Sequence, residues 1–521
     1  MRLRVLRVRR GSNVLGYAQI IEDFVENGKK NTRLVKHLGR IKSPEDMERY
    51  RKLFSLERKR EEIERVDIRT LDVMPPLDYG MIYASRVISR TLYPVLSMLG
   101  KHRDIIFLGM VARLIRPSSD LSLIRFHETS YYPEIKELKK DRIYEALDSL
   151  ISTKDELEMA IVRALKPDMK RVYYDLTSTY FEGREKNDLV MFGYSRDKKR
   201  EKEQIVIGLV MADGIPIHHE VWKGNTVDPE TLPSTMKYLR EKLHVGRVIF
   251  IGDRAFGRRP SLNILDRSEY ITAVYRWDQP YRTILMNQEF SEEDKIEDMG
   301  IYAREVELKW NLESMGKREM RRSRKRRAVA VWNPDRERSD IEDVNERISA
   351  VKELLASHSG KNLDEKLGKL HIYVKNGKIN ESRINMEKKL AGRYMIVTDT
   401  DLPLAEVVKG YKDLSILQRS FRTIKSFIDI RPVNHRRDDR IEAHVFLCVL
   451  SFLLSRLLEK AVNDEMTIAF ISDQLSELKA LPVKVSEGTI TLRSESENAK
   501  NILDRMHILY PNRVLSSVAT K

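Results

Sequence analysis

The sequence predicts an α/β protein of several domains. Three observations predict it. The chain has 521 residues, too many for one core, which sets an expectation of roughly two to four domains. Runs rich in β-branched and aromatic residues, VYYDLTSTYF, EQIVIGLVMAD, IPIHHEVWKG, RVIFIGD and YITAVYR, gather in the middle of the chain. Helical periodicity, with apolar residues three and four apart, lies before, among and after them.

Residues 1–60 read as a small β-rich module, in which VLGYAQIIEDFV and TRLVKHLGRI are strands joined across the polar turn ENGKKN. Residues 61–168 read as a helical region suited to DNA binding, with a plain structural bundle as the equal alternative. Within it, Ser118, Ser119 or Asp120 is expected to cap a helix after Pro117. Residues 169–277 hold three strands, the amphipathic helix PETLPSTMKYLREKLHV, a strand, a short helical segment and a strand. That is the order of a ribonuclease H-like core. Residues 278–390 interrupt it as an inserted β-containing domain, with strands AVAVW and HIYVKNGK, a long helix and the basic cluster Lys317 to Arg327. Such a cluster is either a solvated face or a patch that touches phosphates. Residues 391–460 return to the core with the strand RYMIVTDT and a helix from about 403 to 428, and residues 461–521 are expected to be a C-terminal helical region.

Lysine and arginine number 95 against 79 acidic residues, a net charge of +16. Such an excess favours a polyanionic partner, because phosphates are neutralised by basic side chains. The single cysteine, Cys448, excludes an intramolecular disulfide and a CxxC zinc site, and its apolar surroundings suggest a small core residue. The start MRLRVLRVRRG is basic without a following apolar stretch, so no signal peptide is expected. The apolar run from Val445 ends at Arg456, short of the roughly 20 residues of a membrane span. The expectation is a cytoplasmic chain with no membrane partner. A P-loop NTPase is excluded, since no GxxxxGK[ST] occurs.

Two aspartates stand out. Asp175 lies in the strand VYYDLTS and Asp253 ends the strand RVIFIGD. A carboxylate in an apolar strand is costly unless it caps an end or binds a ligand. Mg²⁺ and Mn²⁺ take oxygen ligands, and phosphodiester chemistry uses cations held by carboxylates that converge from separate elements. Two such aspartates on separate core elements of a basic chain point to metal binding.

The blocks YYDLTSTYFEG, GYSRDKKREKEQIVIGLVMADGIPIHHEVWKGNT, IGDRAF and YKDLSILQRSFRTIKSFIDIRPVNHRRDDRIEAH together resemble the DDE transposases of insertion-sequence family four and its close relatives, over about residues 10 to 510. The last block matches that family's helix of Tyr, two residues, Arg, three residues, Glu, six residues and Lys at Tyr411 and Lys425. The resemblance implies Mg²⁺ (or Mn²⁺) held by Asp175 and Asp253, with the third catalytic position at residue 418, and DNA contacts from Tyr411, Arg419, Arg422 and Lys425. It further implies a homodimer bound to double-stranded DNA at terminal inverted repeats and target. There, water activated by metal cuts the 3′ strand and the freed 3′-hydroxyl attacks DNA, without a covalent protein–DNA intermediate.

Two positions depart from the signature: Leu414 stands for the arginine and Gln418 for the glutamate. Residues 411, 418 and 425 are seven apart and share a helix face, drifting about 20° per step. Gln418 offers an amide oxygen without negative charge, so the second metal is expected to be weakly held and cleavage slow or absent. Asp413, about 140° around the helix and about 7.5 Å back, is a poor substitute; Asp429, about 16 Å further along, and Glu442 are no better. Arg431, His435, Arg436 and Arg437 extend a basic track along the DNA. His218 and His219 alternate in a strand and read as structural, with at most one facing inward. Family members with an insert hold a flipped base with a tryptophan; Trp310 and Trp332 are candidates by location, and core packing is the simpler reading for each. Two rival functions stay open: an inactive DNA-binding relic that recognises element ends, and a metal-dependent nuclease without strand transfer.

Overall fold

The computed structural model describes residues 2–10, 13–26, 29–41, 43–63, 72–181, 188–193, 201–244, 249–254, 256–257, 269–308, 326–357, 360–428, 430, 433, 435–485 and 488–519. The chain divides into two units. The first comprises Met1–Tyr79, Glu477–Lys500 and Leu509–Lys521, and the second Gly80–Ser476 and Asn501–Ile508.

In the first unit, strands Arg2–Arg10, Asn13–Glu26 and Lys29–Ile41 form an antiparallel meander, followed by the helix Pro44–Ile63. The basic N-terminal run is therefore a strand in its own right. Helix and sheet meet at Gly39, whose φ is 129°. A Cβ there would lie 2.6 Å from the Tyr50 hydroxyl, which donates to Arg40 O at 3.2 Å. A second sheet joins Lys479–Val485, Gly488–Arg493 and Val514–Ala519 in antiparallel order, with Asp72–Val73 and Leu77–Asp78 pairing to Lys479–Val485. This corrects the expectation of a helical 461–521: helices Ile468–Ser476 and Glu497–Arg505 are present, yet three strands share the region. Pro482 obscures the strand KALPVKV, since proline lacks a ladder donor. Here only its carbonyl is needed, which accepts from Met74 N at 3.0 Å.

The second unit is built on nine strands: β1 Arg171–Tyr180, β2 Gln204–Ala212, β3 Ile215–Lys223, β4 Ile249–Gly252, β5 Glu269–Ala273, β6 Lys295–Ile296, β7 Ile301–Val306, β8 Arg327–Trp332 and β9 Arg393–Thr398. Their spatial order is β6-β7-β8-β9-β5-β4-β1-β2-β3. β1, β2 and β3 form an antiparallel meander, β4 runs parallel to β1, and β5 parallel to β4. The chain then reverses, and β9 and β8 add antiparallel beyond β5. The insert of residues 278–390 is thus not a separate body. Its strands β6, β7 and β8 continue the central sheet through β9, because the middle of RAVAVW is fully apolar and buried on both faces. Only its helical portion keeps a core of its own, around Val344, Val351, Leu367, Tyr373 and Ile384. The expected strand HIYVKNGK is mostly a turn. Asn376 and Gly377, with φ of 53° and 69°, reverse two short strands, Val374–Lys375 and Lys378–Ile379, as an Asn-Gly hairpin does.

We label the longer helices of this unit α1 Arg103–Ile115, α2 Lys140–Ser152, α3 Lys154–Leu165, α4 Asp228–Glu241, α5 Pro334–Ser357, α6 Glu381–Leu390, α7 Leu404–Arg422 and α8 Asp438–Lys460. Alternation along β1 sends Val172, Tyr174 and Leu176 into an apolar cluster with Leu232, Met236 and Leu239 of α4. α7 packs on β1, β4 and β5, while α8 packs on β3, α1 and α2. At 23 residues α8 is long and apolar enough to cross a membrane, and it is largely buried as a core helix. Cys448 lies on it, fully buried as expected.

α7 approaches the sheet closely at Gly410, where a Cβ would stand 3.2 Å from Ile271 Cδ1 and 3.3 Å from Ile251 Cδ1. Gly410→Leu is expected to lower the unfolding free energy by about 1–3 kcal/mol through overpacking. Gly410→Ala should stay within about 1 kcal/mol of the native chain, because better helix propensity offsets the crowding. Urea denaturation reads both, and equal values for the two variants would contradict this packing.

Candidate active site

The parallel pairing of β1 and β4 runs Arg171 with Ile249, Val172 with Phe250, Tyr173 with Ile251 and Tyr174 with Gly252. One step further along the same register come Asp175 and Asp253. Neighbouring strands are about 4.8 Å apart, and residues paired in register point to the same face. The two carboxylates therefore leave the sheet side by side, both half-buried. Leu176 N donates to Asp175 Oδ1 at 2.8 Å. The Asp253 backbone is held by Thr272, whose hydroxyl donates to its carbonyl at 2.8 Å. Oxygen-only donors set close together suit Mg²⁺ or Mn²⁺, which take hard ligands.

α7 lies over this edge. Arg171 forms an ion pair with Glu406, and the Tyr173 hydroxyl donates to Asp413 Oδ2 at 3.5 Å. Arg171, Tyr173 and Asp175 share one face of β1, so the helix runs alongside the strand in the same direction. Residues 415–420 follow on the same helix. The side chains of that turn, Gln418 and Arg419 among them, lie outside the described residues. Asp413 is engaged by Tyr173, whose pKa burial and then Asp413 push up to about 12. It faces the strand, as the helical count alone did not indicate, but it is not set beside the carboxylate pair.

Tyr411 is mostly buried and its ring centroid is 5.7 Å from that of Tyr394. Burial, and next the charge of Asp253, raise its pKa. Tyr411 therefore keeps its phenolic proton as a donor. Leu414 is buried in the core, which gives the missing arginine of the signature a packing role instead. Arg422 is exposed at the end of α7. Lys425 follows in a π-helical turn, Thr423–Phe427. Such turns are rare, and they displace the residues after them around the axis, so the simple seven-residue face stops before Lys425.

Other expectations sort as follows. Asp429 and Arg431 lie outside the described residues. Glu442 has Lys154, Asp438 and Asp439 as its charged neighbours, not the carboxylate pair. Arg436 is exposed and Arg437 pairs with Asp439. His435 is not part of a free basic track, since its Nε2 is 2.7 Å from Asp120 Oδ2. Asp120 in turn is buried with Arg113, His435 and His444 instead of capping a helix. Of the basic cluster only Arg326 and Arg327 are described. Arg326 is buried, and Arg327 holds Glu305 and the carbonyls of Thr400 and Leu402, so both are built into the fold. Trp310 lies outside the described residues. Trp332 packs against Tyr302 and Phe290 and donates to Glu337 at 3.1 Å.

His218 and His219 correct the alternation rule. Both rings are buried, and each Nδ1 is 2.7 Å from an oxygen of buried Glu158. A register shift between Val210 and Met211 adds a residue to β3 just before them, and such a bulge re-aims side chains. Burial acts to raise Glu158, yet Lys154 and His218 hold it well below the usual range. Burial lowers His219 to about 4. Alternating polarity gave no sign of this knot, nor of the one around Asp120.

No protein-family model and no curated protein matches the chain. Among solved structures it is similar to the Mos1 transposase paired-end complex with left transposon end, at 16% identity over 31% of this chain and 56% of that one, with a TM-score of 0.15. It is also similar to the Mos1 mariner paired end complex with Mn, at 15% identity over 42% of this chain and 66% of that one, again with a TM-score of 0.15. In both cases the chain spans less than two thirds of the structure it matches.

A ligand that binds only the folded state stabilises it, by about 2.7 kcal/mol at a hundredfold excess over Kd. MnCl₂ is accordingly expected to raise the melting temperature of the native chain, and Asp253→Asn should remove most of that rise. A rise of equal size in Asp253→Asn would place the cation elsewhere.

Proposed function

We propose that this chain is a DNA-processing enzyme of the transposase type, with a ribonuclease H-like core and Asp175 and Asp253 as its metal-holding carboxylates. The observation that carries the reading is the register in which these two aspartates follow side by side on β1 and β4. Further support comes from the order β3-β2-β1-β4-β5, with β4 and β5 parallel to β1, which is the strand order of that fold. The net charge of +16 fits a DNA partner, and the sequence blocks resemble those of insertion-sequence family four.

Bound Mg²⁺ or Mn²⁺ would supply activation of the attacking oxygen and stabilisation of the leaving one. Asp175 and Asp253 would hold the cation, from neighbouring strands in the middle of the sheet. Tyr411, protonated, donates to a phosphate oxygen beside the cut. Arg422 and Lys425 contact the DNA backbone and fix its register without reading bases. The substrate in this reading is double-stranded DNA at the ends of the chain's own element, engaged by a homodimer in the cytoplasm, with cleavage followed by strand transfer.

Gln418 favours one second reading, a DNA-binding relic that recognises element ends without cutting them. A neutral amide in place of a carboxylate removes one negative charge from the site, and lost electrostatic stabilisation of this kind costs about 10²–10³ in rate. Cleavage and joining of end-bearing DNA in Mg²⁺ or Mn²⁺ is therefore expected to be faster by about 10²-fold in Gln418→Glu than in the native chain. Equal rates would mean that another group completes the site. Binding without cutting by both proteins would favour the relic, and cutting without joined products a simple nuclease.

A further inference from the structure

The segment that leaves α7 is tied down by one buried carboxylate. Asp120 Oδ2 is 2.7 Å from His435 Nε2 and 2.9 Å from His444 Nδ1, and Oδ1 accepts from Arg113. His444 Nε2 donates onward to Ile430 O at 3.0 Å. Asp120, Arg113 and His444 are all buried. Ligand atoms of Asp120, His435 and His444 lie within 4.8 Å of one another, a spacing that suits a metal. Arg113, however, also stands 3.2 Å from His444 Nδ1. A guanidinium already neutralises this carboxylate, and a dication placed there would face it at close range in a poorly solvated site. The cluster is better suited to holding chain than to holding metal.

What it holds is specific. His444 pins residue 430 and His435 is pinned directly, so a single oxygen of Asp120 fixes both ends of the stretch from 430 to 435. Between those ends, Val433 N donates to Tyr180 O at 3.5 Å and Val433 pairs with Phe181, at the end of β1. On the other side, Ile430 N donates to Ile424 O at 3.2 Å and Ile428 N to Thr423 O at 3.0 Å, closing the π-helical turn that carries Lys425.

We infer that Asp120 is a positioning residue, which through His444 and His435 fixes the turn bearing Lys425 against the strand bearing Asp175. Its functional consequence rests on the reading of Lys425 as a DNA contact; its structural part does not.

Hydrogen exchange tests the structural part without DNA. In Asp120→Asn the amides of Ile428 and Ile430 are expected to exchange at least about tenfold faster, as local opening becomes easier, while those of Ile207 and Leu209 in β2 keep their native rates. Asp120→Asn leaves buried cations unpaired, so His435→Asn, which removes one bond from a partly exposed ring, provides the same readout if the first variant fails to fold. Unchanged exchange at 428–430 in His435→Asn, or equal acceleration throughout β2, would overturn the inference. Affinity for end-bearing DNA tests the functional part. His435→Asn and Lys425→Ala are expected each to weaken binding, and the double variant to be no weaker than Lys425→Ala alone, since groups acting through one element are not additive. Additive losses would overturn the link to Lys425. A native chain that does not bind DNA would sink the functional reading and leave the exchange result standing.

Discussion

The parallel register between β1 and β4 is the constraint on which the site depends. Backbone hydrogen bonding decides that Tyr174 meets Gly252, and the next residue of each strand is an aspartate. Nothing else has to steer the two carboxylates together. A shift of either strand by one residue would turn one carboxylate to the opposite face. That is why the flanking residues are so thoroughly buried: Val172, Tyr174 and Phe250 lock the register from one side, and Ile251 beneath Gly410 of α7 locks it from the other.

The second constraint is how α7 lies on that edge. Arg171 with Glu406 and Tyr173 with Asp413 set the direction of the helix along β1, and Gly410 sets its distance. Tyr411 on the same helix packs against Tyr394 of β9. Beyond residue 422 the helix changes pitch, and its exit is held by polar contacts to Asp120 together with the burial of Ile428, Ile430 and Val433. Rigid strands place the carboxylates, whereas a hydrogen-bonded segment places the cations that follow.

Much of this was legible in the sequence, and the failures have physical causes. The five core strands could be read because apolar, β-branched runs have few alternatives, and Asp175 and Asp253 could be singled out because carboxylates in such runs are costly. β9 was expected as a core strand, but the continuation of the sheet beyond it through β8 was hidden, since a strand pairing across some sixty residues leaves no local mark. The C-terminal strands were hidden by Pro482 and by partners near residue 75. His218 and His219 were misread because one inserted residue in β3 breaks the period of two. Asp120 was, with Ser118 and Ser119, one of three candidates for a helix cap; besides Arg113, its partners lie more than three hundred residues away.

The most direct test of the account is to locate Mn²⁺ by its anomalous scattering in crystals of the native chain. The account predicts density between the carboxylates of Asp175 and Asp253, on the side of the sheet covered by α7. Mn²⁺ bound elsewhere, for instance among Asp120, His435 and His444, with none between the two aspartates, would contradict it.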